Sequence, residues 1–249
     1  MSGETVIVVP ARLGSQRFPA KLLHPVCGKP LIAWTARNLE SISPGLEIVF
    51  AVAEEELAEV VAAMGFRYVM TEAQLPSGTD RIAAANRELG ATRIINVQAD
   101  EPLLERSHLE QLQQLMESGA EMATLATPFT SVQDFADPNK VKVVRANNGT
   151  ALYFSRASIP FQRDQPGNPS SQAFWHLGLY AYTAEVLEAF TQWPPAALEQ
   201  IEKLEQLRLL ENGHTINVGI THQRTVGVDT PEDLKVLTAE LNRRSSPAT

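Results

Sequence analysis

Positive charge is scarce in this chain: 21 Lys and Arg stand against 29 Asp and Glu, a net charge of −8. A global acidic excess argues against nonspecific nucleic-acid binding, so any polyanion site must be a local basic pocket. Cysteine is scarcer still. Cys27 is the only one, which excludes an internal disulfide and a multi-cysteine zinc site. No apolar run approaches the roughly 18 residues needed to span a bilayer. Met1–Thr5 carries no signal-peptide pattern before the first strand. These absences predict a soluble, cytoplasmic protein with no membrane and no nucleic acid among its partners. The common phosphate signatures GxxxxGK(S/T) and GxGxxG are missing, as is DxD.

What is present begins with Val6–Lys21, VIVVPARLGSQRFPAK. Four β-branched apolar residues, Val6–Val9, read as a strand buried on both faces of a parallel sheet. Pro10 is expected to end it. The loop beyond carries Gly14, Ser15 and three cations, Arg12, Arg17 and Lys21. Backbone N–H groups and guanidinium forks in such a loop suit a triphosphate. An ordinary solvated loop has the same composition, so the stretch alone points to phosphate without proving it.

Farther on, the chain alternates. Helical periodicity runs through Leu31, Trp34 and Leu39, after Pro30 at the helix start. Leu46–Val52 reads as a strand, Glu54–Met64 as a helix and Tyr68–Met70 as a short strand. Ser77–Arg81 leads into a helix with Ile82, Ala85 and Leu89. Ile94–Val97 is another strand, and Ser107 is placed to cap the helix bearing Leu109, Leu112 and Leu115. This order predicts an α/β fold with a doubly wound, mostly parallel sheet, whose ligands sit beyond the strands' carboxyl ends. The middle is mainly β: Glu121–Thr127, Val141–Arg145, Ala151–Ser155 and Leu177–Tyr182 read as strands, with a hairpin turn at Asn147-Asn148-Gly149. Arg163–Ser171 reads as a loop or lid. Helices are expected at Thr183–Gln192, Leu198–Glu211 and Pro231–Asn242, the last capped by Thr230 and answered by Asp233. A strand, Thr215–Gly219, lies between them. Residues 1–249 are expected to form a single domain, with 121–182 as a β-rich subregion.

Two carboxylates end strands. Asp100 follows Ile94–Val97 in NVQADEP, and Asp229 closes Val226-Gly227-Val228-Asp229. Converging beside a basic loop, they suit Mg²⁺, which usually takes one or two carboxylates and completes its octahedron with phosphate and water. Glu101 stands open as the alternative to Asp100, and both aspartates also suit plain turn and helix-cap roles.

The motifs PARxxSxRxPxK at Pro10–Lys21, SGTDR at Ser77–Arg81, NVQxDEP at Asn96–Pro102 and NxVKVV at Asn139–Val144 come in order. They are followed by ALYFSRA at Ala151–Ala157, HLGLY at His176–Tyr180, LEQLR at Leu204–Arg208 and GVDTPEDL at Gly227–Leu234. Together they closely resemble the 3-deoxy-manno-octulosonate (Kdo) cytidylyltransferase family over nearly the whole chain. The resemblance implies a nucleotide-diphospho-sugar transferase-like fold and a usually dimeric, Mg²⁺-dependent enzyme. It would join CTP to Kdo, releasing pyrophosphate, for lipopolysaccharide or a related glycan. Arg12, Ser15, Arg17 and Lys21 would hold the triphosphate, with Arg12, Lys21, Asp100 and Asp229 carrying the chemistry. Ser77, Gly78 and Arg81 would line the nucleotide side, and Asp100 and Asp229 would bind Mg²⁺. Gln98, Arg156, His176, Tyr180 and Glu205 would face the sugar, with Arg156 the candidate for its carboxylate.

The chain departs from the family pattern twice. Ala99 replaces the usual Gly, which is expected to narrow the ligand's approach, and Val52-Ala53 replaces the usual Thr-Asp. The alternatives are another 2-keto sugar acid (8-amino-Kdo or a sialic acid), a glycosyltransferase, which usually has the DxD motif missing here, or a non-catalytic nucleotide-binding protein.

Overall fold

The computed structural model describes residues 5–14, 18–225 and 227–245. They form a mixed, mostly parallel β-sheet flanked by helices. The chain divides into two compact units. One comprises the described residues of Thr5–Ala91, Asn96–Arg106 and Thr225–Thr249; the other comprises Thr92–Ile95 and Ser107–Arg224.

The first unit starts with β1 (Thr5–Ala11), in which Ile7, Val8 and Val9 are wholly buried. Pro10 lies inside this strand, opposite Ala51, rather than ending it; its fixed φ suits an extended backbone and it removes only one donor. A hairpin of β2 (Pro25–Val26) and β3 (Lys29–Pro30) turns at Cys27-Gly28, both at positive φ, as a two-residue hairpin turn requires. Next come α1 (Leu31–Ile42), β4 (Glu47–Val52), α2 (Glu55–Ala63), β5 (Arg67–Met70) and α3 (Gly78–Leu89). Each helix buries one apolar stripe; in α1 it includes Leu31, Ile32, Ala36 and Leu39.

Parallel pairing runs from Val6 with Glu47 to Ala11 with Val52, and from Val49 with Arg67 to Val52 with Met70. The carboxyl ends of β1, β4 and β5 therefore share one edge. Val97 N–H donates to the Val8 carbonyl at 3.3 Å, so the Asp100 segment runs beside β1 toward that edge.

The second unit contains β6 (Arg93–Asn96), α4 (Arg106–Glu117), β7 (Met122–Pro128), α5 (Val132–Ala136), β8 (Lys142–Arg145), β9 (Ala151–Ser155) and β10 (Phe174–Thr183). It continues with α6 (Ala184–Gln192), α7 (Ala197–Glu202), α8 (Gln206–Glu211) and β11 (Ile216–Ile220). The strand order is β6-β10-β7-β11, with β8 pairing both β10 and β9. The expected 147–149 turn joins β8 to β9, with Gly149 at φ 88°. Region 121–182 falls within this unit and is as β-rich as its pattern predicts.

Three local expectations give way. Ser107 lies inside α4 instead of capping it, and its hydroxyl bonds the Gln223 side chain. His176 lies within β10, which begins at Phe174. The expected helix Leu198–Glu211 is broken, because Lys203 adopts a left-handed conformation at φ 55° and ends α7. A non-glycine residue in that region costs the helix its continuity.

Phe50 is fully buried in β4 and meets Phe66 edge-on, with ring centroids 5.7 Å apart. Phe50→Ala is expected to destabilise the protein by about 3–5 kcal/mol, measured by urea denaturation. A loss below about 1 kcal/mol would show that this contact is not part of the load on the core.

Candidate active site

The centre of the first unit's carboxyl edge is Lys21, the first residue of a short 3₁₀ turn after the basic loop. Its ammonium donates to Asp100 Oδ2, to the Val228 carbonyl at 2.7 Å and to Asp229 Oδ1 at 3.4 Å. The Lys21 side chain is only 12% exposed, that of Asp100 22% and that of Asp229 55%. One ammonium thus draws together carboxylates from segments 129 positions apart. Backbone bonds fix the arrangement: Val228 N–H donates to the Asp100 carbonyl at 3.0 Å. Asp233 Oδ2 accepts from the N–H groups of Asp229 and Thr230 at 2.9 and 2.8 Å.

The expected Thr230–Asp233 pairing is present, but the helix (Asp233–Ser245) begins at Asp233 and not at Pro231. Burial pushes the Asp233 carboxyl up, yet the hydrogen bonds from Thr230 and Asp229 outweigh it and hold the group below its ordinary value.

Glu101 separates clearly from Asp100. Its Oε2 is buried without a hydrogen-bond partner among the described residues. Burial first, then the charges of Asp100 and Asp229, push its carboxyl up to about 8, against a hydrogen bond with Thr225 and the charge of Lys21. Burial favours its uncharged form, and it packs against the Asp229 segment: a Cβ on Gly227 would stand 3.0 Å from Glu101 Oε1, so glycine permits the close approach. Asp100 and Asp229 are the pair that meets Lys21. No group of three or more His, Cys, Asp or Glu among the described residues forms a metal cage. Two converging carboxylates beside a phosphate loop nevertheless fit Mg²⁺, which draws its remaining ligands from phosphate and water.

The other described nucleotide candidates belong to the same unit. Arg12 is exposed immediately after β1. Ser15 and Arg17 lie outside the described residues. Ser77 caps α3, accepting from Asp80 N–H at 3.2 Å and donating to Asp80 Oδ2 at 2.8 Å. A Cβ at Gly78 would touch only the Pro10 ring, at 3.6 Å.

Arg81 is 1% exposed. Its Nη1 donates to Thr71 Oγ1 and to the Glu72 carbonyl, while Nη2 is buried without a partner among the described residues. Burial lowers the pKa of this guanidinium, with Glu54 opposing and Arg12 adding to the effect. The methyl of Ala99 lies in the interior at 3% exposure, and the Ala99 carbonyl accepts from Thr35 Oγ1 at 2.7 Å. Gln98 donates to Asn96 Oδ1 at 2.9 Å.

The remaining sugar candidates belong to the second unit. The β10 register shifts between His176 and Tyr180, and Gly178 there has φ 71°; such a bulge re-aims side chains beside a site. His176 packs edge-on to Phe154 at 5.0 Å and against Tyr180 at 5.3 Å. Thr124 Oγ1 lies 3.0 Å from His176 Nε2 and donates its only proton to the Leu179 carbonyl at 2.6 Å. His176 must therefore carry its proton on Nε2, which leaves Nδ1 as an acceptor. Burial depresses its pKa to about 3. Burial, then Tyr182 and Glu205, raise that of Tyr180. His176, Tyr180 and Glu205 thus form one neighbourhood.

Arg156 is occupied differently. Its guanidinium donates to the carbonyls of Glu202 at 2.7 Å, Pro138 at 3.0 Å and Lys203 at 3.3 Å. It braces the end of α7, with two of its five N–H donors not used in these bonds.

Four functional neighbours escaped the sequence reading. Glu202 accepts from Ser155 Oγ at 2.6 Å and Arg156 N–H at 3.0 Å. Lys142, wholly buried, donates to the Asp137 and Arg156 carbonyls, both at 2.8 Å. Thr71 anchors Arg81, and Glu54 reaches the basic loop. Glu202 and Glu54 are set by contacts at least 41 positions apart, Thr71 and Lys142 by contacts of 5–14 positions. Only Lys142 falls inside a quoted motif.

Residues 6–216 match the family model described as Cytidylyltransferase. The chain is 43% identical over 242 residues, 94% of this chain and 97% of the relative, to an 8-amino-3,8-dideoxy-manno-octulosonate cytidylyltransferase from Shewanella woodyi. It is 42% identical over 231 residues, covering 92% and 93%, to a 3-deoxy-manno-octulosonate cytidylyltransferase from Acidobacterium capsulatum. A solved structure of CMP:2-keto-3-deoxy-manno-octonic acid synthetase complexed with CTP superposes with a TM-score of 0.90. It is 35% identical and is matched over 97% of this chain and 99% of that one.

The neutral imidazole has a pH consequence. With a folded pKa near 3 against about 6.5 unfolded, the unfolded state binds more protons between those values, so stability falls as pH drops through that window. His176→Gln retains a donor for Thr124 and removes this titration. The stability of the native protein relative to the variant should fall between pH 7 and pH 5 in paired urea titrations. A difference independent of pH would show that His176 titrates alike in the folded and unfolded states and is not held neutral by burial.

Proposed function

The chain belongs to the cytidylyltransferase family, and we propose that it transfers CMP from CTP to the anomeric hydroxyl of Kdo, releasing pyrophosphate. The observation that carries this reading is the meeting of Asp100 and Asp229 on Lys21 beside the basic loop. In-line attack on the α-phosphorus demands positioning and charge neutralisation more than covalent chemistry from the protein. Lys21 and Arg12 supply positive charge to the triphosphate. Asp100 and Asp229 would hold Mg²⁺. When bound, the ion screens the phosphate oxygens and lowers the cost of the charge that develops on them. Ser77 and Gly78 line the nucleotide side. Arg81 offers the nucleotide its buried Nη2.

The sugar acid needs mixed acceptors and donors. His176 Nδ1 and Glu205 accept from hydroxyls, Tyr180 donates, and Arg156 has N–H groups left for the C1 carboxylate. We assign the product to lipopolysaccharide or a related Kdo-containing glycan. A cytoplasmic location is consistent with the lack, among the described residues, of a helix long and apolar enough to cross a membrane. A homodimer is supported by apolar side chains left exposed in the β-rich region, Leu152 at 63% and Phe161 at 75%.

A second reading takes 8-amino-Kdo as the acceptor, favoured by the likeness to the Shewanella enzyme. Pyrophosphate release assayed with CTP and UTP, against Kdo, its 8-amino analogue and a sialic acid, decides among the substrates. Release with CTP and Kdo well above every other pair is the expected outcome; no release with any sugar acid would sink the reading.

For the metal, Asp100→Asn and Asp229→Asn should each lower turnover by a factor of about 10² or more while the variants remain folded by circular dichroism. Near-normal turnover with ordinary Mg²⁺ dependence in either variant would remove that carboxylate from the metal site.

A further inference from the structure

Glu54 stands at the N-cap of α2, where a carboxylate ordinarily accepts from the helix's first N–H groups. It makes no side-chain capping bond there. Its Oε2 instead accepts from Leu13 N–H at 3.1 Å, across 41 positions. The Leu13 carbonyl accepts from Ala20 N–H at 3.2 Å. Leu13 is therefore held at both backbone groups, by Glu54 and by Ala20. Arg12 precedes the clamp and Lys21 follows it, so the clamp sets where both cations start. Just before Glu54, the Ala53 N–H donates to the Ala11 carbonyl at 3.2 Å, which carries the β1–β4 pairing to the point where Glu54 begins.

The same carboxylate acts on Arg81. Arg81 is a buried guanidinium with its Nη2 unpartnered, and it feels repulsion from Arg12 and attraction from Glu54. Two cations that must both serve one anion repel each other until it arrives. The Glu54 charge opposes that repulsion at Arg81, and its bond to Leu13 fixes the chain next to Arg12. Glu54 also accounts for one departure from the family pattern. Val52 is buried and Ala53 carries no polar group, but the next residue supplies a carboxylate at this edge.

We infer that Glu54 is a positioning residue for the nucleotide: its carboxylate pins the chain at Leu13, between β1 and the cation Lys21, without touching the reacting atoms. This rests on the reading of the site as a CTP site. The test compares Glu54→Ala and Glu54→Gln with the native protein. It reads the hydrogen exchange of the Leu13 amide without substrate, and KM separately for CTP and for the sugar acid.

Glu54→Ala should speed Leu13 exchange and raise the CTP KM about tenfold, a typical effect of losing a hydrogen bond to a charged group. The sugar-acid KM and the melting temperature should change little. Glu54→Gln, which keeps an oxygen acceptor, should restore slow exchange and most of the CTP affinity. The inference is overturned if Glu54→Ala leaves Leu13 exchange and the CTP KM unchanged. It is overturned equally if both KM values rise together with a lower melting temperature, which marks a helix-cap role, or if Glu54→Gln behaves like Glu54→Ala. Were the native protein inactive with CTP, the functional reading would fail, while Leu13 exchange would still decide whether Glu54 tethers the loop.

Discussion

A lysine ammonium shared by two carboxylates is the interaction on which the rest of the first unit depends. Lys21, Asp100 and Asp229 come from three separate parts of the chain, and each is useful only where the others are. Two carboxylates side by side repel, and a buried ammonium without partners is costly. Each cost is offset by the other group, so the set is stable only if all three backbones are held. The Val228–Asp100 backbone bond, the Asp233 carboxylate and Glu101 beneath Gly227 hold them.

The parallel strands explain why such a set can form at this edge. With β1, β4 and β5 in register and pointing the same way, every following loop emerges at the same end. The buried apolar run of β1 fixes where the loop bearing Arg12 and Lys21 departs, and hydrophobic burial offsets most of the entropy of ordering that strand. The loop can then be rich in charge and backbone donors.

The second unit works by a different principle. Its candidate sugar residues sit on an antiparallel strand interrupted by a bulge, and there burial tunes the chemistry. His176 is kept neutral and Tyr180 protonated because charge is disfavoured in a packed aromatic neighbourhood. Both stay hydrogen-bonding groups across the ordinary pH range, as recognition of a polyhydroxylated acid requires. Arg156 shows the limit of reasoning by residue type. A guanidinium suits a carboxylate, but here most of its donors brace backbone carbonyls at the end of α7.

The sequence by itself determined what depends on neighbours along the chain. The alternation of strand and helix, the Asp100 turn after β6, the Ser77 cap and the 147–149 turn follow from local periodicity and local hydrogen bonding, and all are present. Asp229, expected at a strand end, instead follows irregular chain at 227–228 and is held by the Val228–Asp100 backbone bond. The boundaries failed where a distant group intervened: Ser107 was drawn to Gln223, and the expected 198–211 helix was broken at Lys203, whose carbonyl bonds Arg156. Only the tertiary structure decided which of Asp100 and Glu101 meets Lys21 and which is buried away from it. Spacing is the same for adjacent residues, whereas burial and the direction of the side chain differ. It alone showed that Glu54 reaches Leu13, because that contact spans 41 positions and exists only once β1 and β4 are paired.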